Sequence, residues 1–323
     1  MSEVRVSIVI LNYNTQELLA DCLRSLHDDP DHEQWQIIVV DNASSDDSMA
    51  MVTRDFPQAM LVALDRNLGF AKGNNRGAEI ASGRHLLFLN ADTVVLPGVV
   101  AALSDFLDTT PDAAIVGPRL NHPGGKFQCS FQPFPSTLGT LRKYLYINLL
   151  LRNFARSSVR ALSDSDLRKT RQVDYVAGAC LMICREYFER VGGWCEDYFL
   201  YGEDADLCAE VKRIGGKTYY YGPRHIIHIG GASADQVALP AILEGHRSLF
   251  LFVYRHEGPL AFWATRLTTM VGVLLRGLFT ALALPVALPL GKAKPVWARL
   301  RKYVRVLGLC LSRNAFPTGG FLQ

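Results

Sequence analysis

No Asp or Glu occurs after Glu257, whereas nine Lys and Arg lie between Gly258 and the end of the 323-residue chain. The first 257 residues hold 25 basic against 31 acidic side chains, a net of −6, inside a chain whose overall net charge is only +3. Such a division argues against a nucleic-acid patch, because the cations of the tail alternate with long aliphatic runs and not with solvated polar residues. An anionic membrane surface suits that tail better. No C-x-x-C pair or paired framework links the seven cysteines, Cys22, Cys129, Cys180, Cys184, Cys195, Cys208 and Cys310. A disulfide scaffold is thereby excluded, and reduced, mostly buried thiols of a cytosolic protein are expected. The start, Met1-Ser2-Glu3-Val4-Arg5, lacks the apolar core and small-residue cleavage site of a secretory signal, so secretion is not expected. Internal repeats and low-complexity tracts are also missing. What remains is 49% hydrophobic residues, enough for one large core in one or two domains.

Val4-Arg5-Val6-Ser7-Ile8-Val9-Ile10-Leu11 is β-branched and almost continuously apolar, the pattern of a strand covered on both faces. It stops at Asn12-Tyr13-Asn14. Thr15 follows as an N-cap, and Leu18, Leu19, Cys22, Leu23 and Leu26 recur at helical spacing. Further strands are expected over 35–40, 59–64, 85–89, 113–117 and 216–221, with helices over 69–81 and 205–214. This alternation predicts an α/β, doubly wound, mixed but mostly parallel sheet with flanking helices, whose ligand crevice lies at the carboxyl ends of its strands. Three of those ends are polar: Asn12, Asp41 and Asn90-Ala91-Asp92. Residues 121–170 read as a mobile insertion, with Pro123-Gly124-Gly125 near its start and a basic-aromatic run from Arg142 to Arg156.

Asp92, just past a buried apolar strand, suits a divalent cation whose shell is completed by phosphate oxygens and water, although turn chemistry also places Asp there. Glu203-Asp204-Ala205-Asp206 opens a helix. Acidic residues there offset the helix dipole, and one of them could instead be a general base for an acceptor hydroxyl. The preceding Gly192-Gly193-Trp194 and Tyr198-Phe199-Leu200-Tyr201 favour the second reading, since aromatic faces suit sugar rings. His228, at the end of an apolar strand, is either a satisfied core histidine or an imidazole ligand for the same metal as Asp92.

Ser7 to Asn14, Val39-Val40-Asp41-Asn42-Ala43-Ser44-Ser45-Asp46 and Asn67-Leu68-Gly69-Phe70-Ala71-Lys72-Gly73-Asn74-Asn75-Arg76-Gly77 resemble successive signatures of the family 2 inverting glycosyltransferases. Leu89-Asn90-Ala91-Asp92 resembles the D-x-D motif of that family. Val176-Ala177-Gly178-Ala179-Cys180 and the block from Gly192 to Asp206 resemble its acceptor side and E-D motif. The likeness covers about residues 4 to 235 in order, and within the family it is most similar to bacterial rhamnosyltransferases of cell-envelope polysaccharide synthesis. It implies a GT-A fold and a nucleotide-diphosphate sugar donor. Asp41 would face the pyrimidine, with Leu11, Asn12, Asn14 and Asn42 around the nucleoside. Asn67, Lys72 and Asn75 would approach ribose, phosphates or sugar, and Asn90 and Ala91 would flank the metal-binding Asp92. His228 would be the second ligand to Mg2+ or Mn2+. Asp204 would be the base, Glu203 would orient the acceptor or its loop, and Gly178, Ala179, Trp194 and Tyr201 would line the acceptor side. Asn90 departs from the motif, where a carboxylate is expected, and the site carries one negative charge fewer.

The implied reaction moves a sugar, best read as L-rhamnose from dTDP-rhamnose, to a lipid-linked or polysaccharide acceptor. A sugar nucleotidyltransferase is disfavoured, since Asn12-Tyr13-Asn14-Thr15-Gln16-Glu17 stands where a basic glycine-rich phosphate loop would be. A non-catalytic sugar-nucleotide-binding scaffold draws support from Asn90 but not from Asp92, Asp204 and His228. The expected organisation is a catalytic domain over 1–257 and a helical membrane-associating region over 258–323. The catalytic domain would hold a nucleotide-sugar half (1–118), the insertion (121–170) and an acceptor half (173–257). Arg266, Arg276, Pro285 and Pro289 interrupt the apolar stretch 261–291. A span needs roughly 20 apolar residues, and a central Arg costs about 2.5–3.5 kcal/mol. A peripheral or re-entrant attachment to the inner membrane face is therefore expected, followed by a basic helix over 297–305 with Trp297 and Tyr303 at the interface. A hydrophobic arm between two copies of the chain is the alternative.

Overall fold

The computed structural model describes residues 4–144, 162–230, 238–282, 285 and 293–312. The chain divides into two compact units, residues 1–134 with 158–236 and residues 135–157 with 237–323.

Chain order runs β1 (Val6–Asn12), α1 (Gln16–His27), β2 (Trp35–Asp41), α2 (Ser48–Asp55), β3 (Met60–Ala63), α3 (Gly69–Glu79), β4 (His85–Asn90), β5 (Thr93–Val95) and α4 (Val99–Thr109). Then come β6 (Ala113–Asn121), β7 (Phe127–Gln128), β8 (Phe131–Gln132) and α5 (Thr137–Tyr144), the last of which belongs to the second unit. The first unit resumes with α6 (Asp164–Leu167), β9 (Arg171–Val173), β10 (Tyr175–Val176), β11 (Cys180–Cys184), α7 (Arg185–Val191), α8 (Glu203–Arg213) and β12 (Lys217–His228).

The main sheet has the order β3-β2-β1-β4-β11-β6-β12-β5. Pairs β2/β3, β1/β2, β1/β4 and β6/β12 are parallel, whereas β11 runs antiparallel to both its neighbours and β5 antiparallel to β12. The sheet is thus mixed, as expected, but not mostly parallel: β9 on β12 and β7 on β6 are antiparallel too, so among the described residues five antiparallel pairings stand beside four parallel ones, with the parallel set at the amino end. Alternation along β1 explains the nearly continuous apolar run: Val6, Ile8 and Ile10 face one core with Leu19 and Leu23 of α1 and Leu103 of α4. Val9 faces the other core with Ile38, Val40, Ala71 of α3 and Leu207 of α8. With side chains alternating between faces and both faces covered, no position can be polar without cost.

Helix α3 lies directly on this parallel half. A Cβ at Gly73 would stand 2.4 Å from the Leu11 side chain, and one at Gly77 would stand 2.4 Å from Val9 and 2.9 Å from Val40. Glycine at these two positions sets how close the Asn67 to Asn75 segment comes to the ends of β1 and β2.

Several local expectations are corrected. Thr15 makes no capping bond to α1; its Oγ1 donates to Asn12 Oδ1 at 2.7 Å, and Asp46 Oδ2 accepts the Gln16 N–H at 3.0 Å instead. The strand expected over 216–221 extends to His228, because β6 supports it as far as Ile227 and β5 supports its last three residues. The region 121–170 is not uniformly irregular: β7, β8, α5 and α6 lie in it, while residues 145–161 lie outside the described residues.

In the second unit, α5 joins α9 (Ala238–Glu257), α10 (Pro259–Leu282) and α11 (Ala293–Leu311). Their core holds Tyr144, Phe250, Phe262, Val273, Val306 and Leu309. The second compact unit takes in α9, which contributes Phe250 to this core. Among the described residues no helix is long and apolar enough to cross a membrane. Pro289 lies outside the described residues, and the basic helix expected over 297–305 is part of α11.

Candidate active site

The carboxyl ends of β1 and β2 are joined by buried polar bonds. Asn12, fully buried, donates from Nδ2 to Asp41 Oδ1 at 3.0 Å and to Ser44 Oγ at 3.1 Å. Asp41, also buried, accepts the Ser44 N–H on its other oxygen at 2.9 Å, so each oxygen keeps one further acceptor site. Asn14 and Ala43 have left-handed backbones, φ 53° and 64°. The Asn14 N–H donates to Ser44 Oγ, and its Oδ1 accepts the Ser45 N–H at 2.7 Å. A left-handed alanine is costly, and here the surrounding bonds hold it. Ser44, the common partner of these bonds, is not distinguishable in sequence from its neighbour Ser45.

Asn42 Nδ2 donates to Asn67 Oδ1 at 2.9 Å, while its Oδ1 accepts the Leu68 N–H at 2.7 Å, fixing the start of α3 beside β2. Leu11 packs against Gly73. Lys72, half-buried, forms no ion pair with any described residue. Asn75 does not reach the strand ends through a free amide: Nδ2 donates to the Trp194 carbonyl at 2.9 Å and Oδ1 accepts the Trp194 N–H at 3.0 Å. The Phe70 N–H donates to the Phe199 carbonyl at 2.8 Å. Helix α3 thus straps down the loop between α7 and α8. Trp194, read from sequence as an acceptor-side aromatic, is 1% exposed and packs edge-on to Phe70 and Phe88 at 5.5 and 4.9 Å. Its ring presents no face to a sugar. Tyr201 is 44% exposed, and with Gly202 it forms a left-handed pair, φ 68° and 82°, that starts α8.

The turn after β4 and the end of β12 meet because β5 pairs with β12, placing Thr93 opposite His228. His228 Nε2 lies 3.2 Å from Asp92 Oδ1, and the Gly230 N–H donates to Asp92 Oδ2 at 3.1 Å. Burial pushes the Asp92 carboxyl up; a His228 ring carrying hydrogen on Nε2 would, by its bond and charge together with backbone N–H groups, bring it below the ordinary value, whereas without that hydrogen only the backbone bonds oppose burial. His228 Nδ1 lies 3.0 Å from Gln128 Oε1 in β7. An amide oxygen only accepts, so Nδ1 carries the hydrogen and Nε2 of a neutral ring turns its lone pair toward the carboxylate. Two acceptors at that distance fit a cation between them. Among the described residues no group of three or more His, Cys, Asp or Glu is arranged for a metal, so the described residues would supply two such ligands at most. Asn90 Nδ2 lies 3.4 Å from the same Nε2. Gln128 escaped the sequence reading, since nothing in Phe127-Gln128-Cys129-Ser130 indicates that this hairpin reaches His228.

A short turn links this pair to the carboxylates of α8. The Asn90 N–H donates to the Ala179 carbonyl at 3.0 Å, and the adjacent Gly178 N–H donates to Asp204 Oδ2 at 3.1 Å. Asp204 Oδ1 accepts the Ala205 N–H at 2.8 Å. Burial raises the Asp204 carboxyl, against these backbone bonds. Glu203 beside it is buried, and its Oε2 has no partner among the described residues. Burial first, and the Asp204 charge second, raise Glu203 well above the carboxylate range. Asp206, buried as well, accepts from Tyr198 Oη at 3.2 Å.

The model of Glycosyl transferase family 2 matches residues 7–192, more than half of the chain and the polar ends of β1, β2 and β4. The chain belongs to glycosyl transferase family 2. This glycosyltransferase is 26% identical over 236 residues to an N-acetylglucosaminyl-diphospho-decaprenol L-rhamnosyltransferase of Mycobacterium tuberculosis, covering 69% of this chain and 76% of that protein. It is 23% identical over 234 residues to the rhamnosyltransferase WbbL of Escherichia coli, covering 69% and 83%. Among solved structures, the mannosyltransferase PcManGT from Pyrobaculum calidifontis, in complex with GDP-Man and Mn2+, matches with a TM-score of 0.56 at 18% identity, over 94% of this chain and 86% of that one. At that identity the likeness shows the fold, an α/β sheet with flanking helices like those of GT-A glycosyltransferases.

Proposed function

We propose that this glycosyltransferase moves L-rhamnose from dTDP-rhamnose to a hydroxyl of a lipid-linked sugar, with inversion, at the inner face of the cell membrane. The observation that carries the chemistry is the Gly178-Ala179 turn, which holds the Asp204 carboxylate on one side and the Asn90 strand end, next to Asp92, on the other. The sugar and acceptor classes follow the rhamnosyltransferase relatives.

The acceptor oxygen attacks the anomeric carbon, the bond from that carbon to the diphosphate oxygen breaks with its electron pair, and the hydroxyl proton passes to Asp204. One displacement inverts the carbon. Asp204 is suited to this because burial raises its proton affinity while two backbone N–H groups hold both oxygens in place. Asp92 and His228 would hold Mg2+ or Mn2+, which when bound neutralises charge on the departing diphosphate. Asp41 and Asn12 present a buried polar edge to a base at the ends of β1 and β2.

Thermal stabilisation across dTDP-, UDP- and GDP-sugars tests the donor. The largest rise in Tm is expected with dTDP-rhamnose, and equal or greater stabilisation by a GDP-sugar would overturn the assignment. Gln128 provides a second check, since it fixes the tautomer of a metal-ligating ring. Losing such a partner weakens metal binding by about 10–100-fold. Gln128→Leu is expected to raise the Mn2+ dissociation constant within that range, read by titration calorimetry without substrate, and Gln128→Glu, which still accepts from Nδ1, to restore most of it.

A further inference from the structure

Helix α10 is apolar on its outer face as well as on the inner face that carries Phe262 and Val273 into the core. Leu260, Trp263, Leu267, Leu274, Leu278 and Leu282 recur at three-, four- and seven-residue spacing along one face, each between 49% and 85% exposed. Every exposed residue of α10 is apolar. Its polar side chains turn inward instead: Thr265 and Thr269 are fully buried, and Arg266 is 8% exposed. Arg266 donates to the carbonyls of Cys310 and Ser312 at 2.5 and 2.7 Å, and Arg276 donates to the Lys143 carbonyl at 2.7 Å and lies 4.6 Å from the Tyr144 ring. A globular surface helix places its apolar stripe inward and its charges outward. The two arginines that interrupt this apolar stretch in sequence are therefore absent from its outer face.

We infer that the outer face of α10 lies in the plane of an anionic lipid bilayer, with the exposed cations of α11 on the headgroups. Charge selects this occupant. Helix α11, which packs on α10, exposes Arg299, Arg301, Lys302 and Arg305, and none of them forms an ion pair with a described residue. No acidic residue follows Glu257 to neutralise them. Exposed Trp297 and Val304 sit among these cations, the mixture of apolar and basic side chains that suits the boundary between headgroups and acyl chains. A second copy of the chain would bring the same cations against each other, whereas an anionic surface draws them in. In-plane seating also agrees with the lack of a membrane-crossing helix among the described residues.

Flotation of the full chain with vesicles tests this without donor or acceptor, so failure would leave the transfer chemistry untouched. The protein is expected to float with phosphatidylcholine vesicles containing phosphatidylglycerol, more weakly as salt rises, and to stay behind with phosphatidylcholine alone. Brominated acyl chains are expected to quench tryptophan fluorescence, and Trp263→Phe to remove much of that quenching. Leu267→Glu with Leu274→Glu alters only exposed positions and is expected to lower vesicle affinity at least about tenfold with an unchanged circular dichroism spectrum. Flotation of that variant like wild type would overturn the inference, as would wild-type protein that ignores anionic vesicles. So would a concentration-dependent dimer in light scattering that the same substitutions abolish while vesicle binding persists.

Discussion

Asp204→Asn is expected to lower kcat by about 10²–10⁴-fold, the contribution of a positioned general base, while the nucleotide donor still binds and raises Tm as in the wild type. The substitution is isosteric, and one oxygen remains to accept from Gly178 or Ala205, so the turn and the start of α8 should persist. What disappears is the atom proposed to take the acceptor proton. Retained turnover with an unchanged pH profile would remove Asp204 from this role. The wild-type profile carries its own sign. A base must be ionised, and burial raises Asp204 above its ordinary value near ~3.9, so the acid limb of kcat should lie above that value, with rate falling as pH drops through it.

Asp92→Asn is expected to weaken Mn2+ binding by more than the Gln128 change does, beyond the about 10–100-fold that follows loss of an outer partner alone. Asp92 and His228 are the two proposed ligands among the described residues, and the substitution removes the charged one. Electron paramagnetic resonance of free Mn2+ measures this directly, with no turnover required. Asn90→Asp should act in the opposite direction by restoring a second carboxylate near His228. Unchanged Mn2+ affinity in Asp92→Asn and His228→Ala would show that the pair is a structural ion pair. In that case the contact needs no metal.

Much of the catalytic unit could be read along the chain, because its signals are local. The apolar run of β1 reports burial on both faces, and the polar residues that end β1, β2 and β4 mark the crevice without any knowledge of how the strands pair. Glycines 73 and 77 occur in a recognisable motif, yet their purpose is steric contact with Leu11 and Val9, which only packing reveals. Asn75 and Trp194 show the same limit. Both belong to family signatures, and both are engaged in fastening a loop to α3.

Gln128 and His228 are 100 residues apart, and a hydrogen bond across that separation leaves no periodic trace in sequence. The sequence by itself determined the strand–helix alternation, the polar strand ends, the family and the acid-free basic tail, since each depends on neighbouring residues or on composition. Only the tertiary structure decided that Asp92 meets His228, that the Gly178-Ala179 turn holds Asp204 beside the end of β4, and that α10 turns its arginines inward. Those arrangements depend on strand pairing and helix packing between distant segments, and the energies that select them arise only once those segments are in contact.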